Sequence, residues 1–217
     1  MSPKHYRPTR EQDTCAQGEH RSAISCFDEA IRLDENNPQA YNNLGISLLD
    51  MGDLTQAEAA LRNALSIEPD YAEAHFNLSR VLLMAENFAD GWKENEWRWL
   101  CPEFPSTWRE FPPAMWQGED LTGQKILIWS EQGIGDEIMF ANTLPDIVRD
   151  CAGIILECND RLVPIIERSF DGVIAVARQE LPDPRIEHAD TEYQMPIGSL
   201  GKFYRQAIED FPQEAGG

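Results

Sequence analysis

The chain has 217 residues, of which 42% are hydrophobic, enough for one large domain or two small ones with a real core. Its 38 acidic and 18 basic residues leave a net charge of −20, divided as −8 over residues 1–100 and −12 over 101–217. A field of that sign repels nucleic acid and anionic membranes, which excludes nucleic acid as a partner. The five cysteines, at 15, 26, 101, 151 and 158, include no CxxC pair, and the four histidines are scattered, so no metal site, cofactor or disulfide framework is expected. With no apolar leader and no run of ~18 apolar residues, the sequence predicts a cytoplasmic protein without a membrane span.

In chain order, residues 1–19 read as a frayed or degenerate N-terminus, and 20–100 as helical repeats with a period of 34. The clearest copy starts at Pro38-Gln-Ala-Tyr-Asn-Asn-Leu-Gly and continues through Leu48, Gly52, Ala57, Leu61, Ala64 and Pro69. These positions resemble the tetratricopeptide repeat, in which small residues such as Gly45 and Ala57 let paired helices approach. A further copy begins at Ala72, with Gly91 at a small position and Asn95 where a bulky residue is usual. Upstream, Ala23, Phe27 and Ala30 match a second helix, and Gly18 matches the turn before it. Asn43 and Asn77 share one repeat position. The resemblance implies a protein or peptide partner on the concave face, its backbone bonded by these amides; alternatively, each amide bonds a neighbouring helix.

Residues 101–123 form a Trp/Pro-rich junction. The aromatics between Phe88 and Trp116 suit a greasy joint between repeats and sheet, or a platform for a flat ligand. From 124 to 205 the pattern becomes strand, helix, strand: Ile126–Trp129, then Gly133 and Gly135, a helix from 137, Ile154–Cys158, a helix over 161–170 with Leu162, Val163, Ile165 and Ile166 inward, Val173–Ala177, and a strand near 191–197. That alternation predicts a Rossmann-like parallel sheet, so the fold class is α plus α/β. The Gly133-Ile-Gly135 turn lacks the third glycine of a dinucleotide fingerprint, because Ile138 stands there. Residues 206–217 read as a tail.

Four segments in order, Gly91-Trp92-Lys-Glu-Asn-Glu-Trp97-Arg-Trp99, Trp116-Gln-Gly118, Glu131-Gln-Gly-Ile-Gly-Asp136 and Pro196-Ile-Gly-Ser-Leu200, together resemble a bacterial family over roughly 20–205. That family joins tetratricopeptide repeats to a domain similar to the ADP-heptose (family 9) glycosyltransferases. Gly201 departs from the proline usual there. The resemblance implies the first, acceptor-side half of a GT-B fold, with Asp136 as general base for an acceptor hydroxyl. Glu131, Gln132, Gly133 and Gly135 would form the substrate loop. A glycan or protein would be the acceptor, and a nucleotide-sugar would bind only where a donor domain is present. With that domain missing from these residues, the chain reads as a truncated relative that transfers no sugar alone. The competing reading is a non-enzymatic interaction module with a structural α/β relic.

Overall fold

The computed structural model describes residues 10–187 and 190–212, in two compact units, residues 1–101 and 102–217. The first nine residues of the expected degenerate N-terminus lie outside the described residues.

The first unit is helical: α1 (Arg10–Leu33), α2 (Pro38–Asp50), α3 (Leu54–Ile67), α4 (Ala72–Met84) and α5 (Phe88–Asn95), then a 3-10 turn over Glu96–Leu100. Local chemistry sets the boundaries. Asn37 caps α2 by accepting the Ala40 N–H at 3.0 Å, with Pro38 in the first turn, and Asp53 caps α3 through Gln56 N–H at 3.1 Å. Between these helices Gly52 turns the chain at φ +79°. Between α4 and α5 the same job falls to Glu86 at φ +60°, a conformation its side chain disfavours. The turn expected at Gly18 does not form, and α1 runs through it. A glycine inside a helix costs only about 1 kcal/mol, and no aspartate or asparagine follows Gly18 to cap a new helix.

Leu48, Ala57, Leu61, Ala64, Leu78 and Leu82 form one buried cluster. The close approach read from Gly45 is real, since a Cβ there would lie 2.6 Å from Leu61 Cγ. Gly91 stands in the same relation to Leu83, at 2.8 Å. Asn95 is buried and ends α5 after eight residues; its carbonyl accepts from Arg98 Nη1 at 2.9 Å. Arg98, fully buried, also pairs with Glu96 at 2.8 Å.

The second unit contains β1 (Ala114–Met115), β2 (Lys125–Trp129), α6 (Ile134–Phe140), α7 (Leu144–Asp150), β3 (Gly153–Cys158), α8 (Val163–Ser169), β4 (Val173–Ala177), α9 (Pro184–Glu187), β5 (Thr191–Pro196) and α10 (Gly201–Tyr204). All five strands pair in parallel in the order β1-β5-β2-β3-β4. Ile126, Leu127, Ile128 and Trp129 are fully buried, as a central parallel strand requires. Leu162 and Ile166 point inward as the pattern predicts, but Ile165 is exposed: α8 starts only at Val163, and its short span buries a narrower stripe.

Four of the aromatics of 88–116 have ring partners within their own unit. Trp97 stacks on His75 at 3.9 Å between ring centres; Trp108 and Phe111 pack around Trp129; Trp116 packs on Phe203 and Tyr204.

Candidate functional site

In the sheet unit, the chain leaves β2 for β3 and β4 on one side and returns as β5 on the other. The carboxyl end of β2, beside β5, is therefore the switch point where open α/β sheets bind ligands. Residues 130–136 lie there. Glu131 is fully buried, and its Oε1 accepts the Gly198 N–H at 2.8 Å, tying the loop after β2 to the loop after β5. A side chain at Gly198 would collide with that carboxylate.

Gln132 follows at φ +61°, and its N–H donates to Ser106 Oγ. The left-handed residue of this turn is thus Gln132 and neither glycine. Gly133 is extended at φ −99° and ψ 169°, and Gly135 lies in the first turn of α6 with open space where a Cβ would stand. Asp136, half-buried, accepts the Gly133 N–H through Oδ2 at 3.1 Å, the reach of an N3 carboxylate back to its helix cap. Gly135 is exposed and Asp136 half-buried, while Glu131 is committed to the frame.

A charged group that the sequence reading missed surrounds this turn. Glu157 on β3 is fully buried and pairs through Oε1 with Arg109 at 2.5 Å. Arg178, just past β4, donates to the Ser130 carbonyl at 2.8 Å. Glu137, buried on α6, accepts the Asn159 N–H at 2.8 Å. Burial pushes the Glu137 carboxyl above its ordinary range, against the pull of the Asn159 N–H and the Arg178 charge. Burial likewise raises Glu157, opposed by Arg109 and Arg178 and reinforced by Glu137. The available signal was a glutamate inside the apolar run Ile154–Cys158 and an arginine directly after Val173–Ala177. Burial also raises the nearby Cys158 thiol to about 12, which leaves it inert as a nucleophile.

In the repeat unit, Asn77 is buried and donates to Asn42 Oδ1 at 3.0 Å, so its amide bonds the preceding repeat. Arg80 Nη1 lies 3.5 Å from Asn77 Oδ1. Asn43 is half-buried and accepts from Asn42 at 3.4 Å. The amides at 42, 43 and 77 therefore form a row across α2 and α4. Among the described residues no group of three or more His, Cys, Asp or Glu is placed to hold a metal, and no helix is long and apolar enough to cross a membrane.

Two family models match the first unit: TPR repeat over residues 13–52, and tetratricopeptide repeat over 48–91. Residues 13–91 are tetratricopeptide repeats. Protein FlbA of Caulobacter vibrioides is 34% identical over 215 residues, covering 92% of this chain and 36% of FlbA. The chain thus spans about a third of that relative's length. A probable UDP-N-acetylglucosamine--peptide N-acetylglucosaminyltransferase SPINDLY of Hordeum vulgare is 37% identical over 67 residues, 31% of this chain and 7% of that protein. Among solved structures, the first TPR of Spaghetti (RPAP3) bound to an HSP90 peptide is 20% identical, covers 37% of this chain and 64% of that one, and superposes with a TM-score of 0.36.

Proposed function

We propose that the tetratricopeptide repeats of residues 20–100 recruit a protein or peptide, and that residues 124–205 are the acceptor-side half of a GT-B glycosyltransferase, which transfers sugar only with a donor domain. The observation that supports this reading most is the placement of Asp136 and the open Gly135 at the carboxyl end of β2, at the switch point of a parallel sheet. There the Asp136 carboxylate takes the proton of an acceptor hydroxyl as the hydroxyl oxygen bonds the anomeric carbon and the nucleotide diphosphate leaves that carbon with the bonding pair, while Glu131 and Gly198 keep the neighbouring loops in register.

Asp136→Asn tests it, because the amide oxygen still caps Gly133 N–H but takes no proton. With the donor half supplied, sugar transfer should fall by ~10²–10⁴-fold at an unchanged melting temperature. Undiminished transfer by the variant would return Asp136 to a capping role.

A specific observation favours a second reading, an interaction module without catalysis: the Asp136 carboxylate is already engaged as the cap of Gly133 N–H. On that reading the repeats alone bind the partner, and the Asp136 variant changes nothing but local helix stability.

A further inference from the structure

Residues 102–113 contain no helix or strand, yet they cross the carboxyl ends of three neighbouring strands. Three side chains pin them. Ser106 Oγ accepts the Gln132 N–H beyond β2, Trp108 meets Trp129 edge-on at 5.4 Å, and Arg109 reaches Glu157 on β3 and the Gln179 carbonyl at 3.0 Å beyond β4. Further along, Gln194 Nε2 donates to the Phe111 and Pro113 carbonyls, each at 2.9 Å, which anchors the far end. Around the pins, Pro105, Thr107 and Glu110 are exposed, and the Trp108 ring keeps its outer side exposed at 44%. Beneath them lies Glu157 Oε2, a buried polar atom without a hydrogen-bond partner, and close by the buried Ser130 hydroxyl lies beside the Glu137 carboxyl. An unsatisfied buried polar atom disfavours the closed arrangement, and so does Gln132 held at positive φ.

We propose that residues 104–111 are a lid over the carboxyl end of the sheet, latched by Arg109 on Glu157, and that its opening admits a polar, hydroxyl-bearing ligand to Ser130, Glu157 and the Gln132 turn. The lid is irregular and side-chain-pinned, whereas the strands beneath are held by continuous ladders, so the two differ in how readily they open. Closed, Ser106 fixes the Gln132 turn beside Asp136; open, that turn is released and Glu157 Oε2 gains a partner. The inference concerns access, and it stands whether or not Asp136 acts as a base.

Amide hydrogen exchange on the whole chain tests it, beside thiol labelling of the Ser130→Cys variant with a small methanethiosulfonate reagent. Gln132 and residues 106–111 should exchange as one group, at least ~10-fold faster than Ile126–Ile128 and Ile154–Leu156. Glu157→Gln, which weakens the latch to a neutral hydrogen bond and leaves the Arg109 guanidinium without its counter-charge, should speed that group a further ~10-fold and leave the ladder amides unchanged. Ser106→Ala should do the same at Gln132. Labelling of the introduced thiol should rise by the factor that Glu157→Gln produces in Gln132 exchange. The lid is refuted if Gln132 exchanges only with the ladder, if the latch variant speeds both groups equally, or if the introduced thiol stays unreactive when the latch is weakened.

Discussion

The two units keep their polar contacts at different distances along the chain. In the repeats, partners sit one turn, one helix or one repeat away: Arg62 on Glu58, Glu94 on His75, Asn77 on Asn42. In the sheet unit, Gln194 binds Phe111 and Trp129, Arg109 binds Glu157, and Glu131 binds Gly198, all across dozens of residues. A repeat restates its own packing rule every 34 positions. The sheet instead concentrates its constraints on a few residues where remote segments meet.

If that contrast holds, damage to a meeting point should exceed damage to a repeat position. Trp129 is fully buried, bonds Gln194 at 3.0 Å and packs against Trp108 and Phe111. Trp129→Ala should cost ~3–5 kcal/mol, read from the urea midpoint, and half-buried Trp97→Ala should cost less. Equal losses would break the comparison. Ala57 is fully enclosed between helices, so Ala57→Leu should cost ~1–3 kcal/mol. A melting temperature unmoved by that change would mean the helices part freely at this point.

The smallest effect concerns pH. Glu137 has a folded pKa raised above its ordinary value, so the folded chain binds more of its proton than the unfolded chain does. Its stabilising contribution is present below about pH 4.5 and is lost as pH rises through the folded value. Glu137→Gln keeps an oxygen for the Asn159 N–H but does not titrate. Measured against the unaltered protein at about pH 5 and about pH 7.5, the variant should gain melting temperature as pH rises. A constant gap would show that Glu137 titrates alike in both states.

Legibility follows the same division. The repeat register at Gly45, Ala57 and Leu61 was readable because each position recurs, and β2, β3 and β4 were readable as apolar runs bounded by turn residues. At Glu86 no glycine marks the turn, and only its place one period after Gly52 points to one. Gly18 erred the other way, because glycine permits a turn without requiring one. β1 has two residues, too few for any periodicity, and forms only because β5 is beside it. Around the candidate site, Asp136 and the glycines stood out in sequence, while Arg109, Glu157 and Arg178 did not. Nothing local in a chain says that an arginine will fold back 48 positions onto a buried glutamate.

The strand order has a consequence for synthesis. Among the described residues β1 pairs with β5 alone, although about eighty residues separate the two and both stand on the same side of β2. At ~5–20 residues per second, the ribosome needs roughly 4–16 s to travel from Met115 to Pro196. Through that interval β2, β3 and β4 can already align, while one flank of β2 stays bare and the Trp108–Met115 stretch has no sheet to join. The repeats end by Leu100 and emerge ahead of this interval, so the exposure to wrong pairing falls on the sheet residues between Met115 and Pro196.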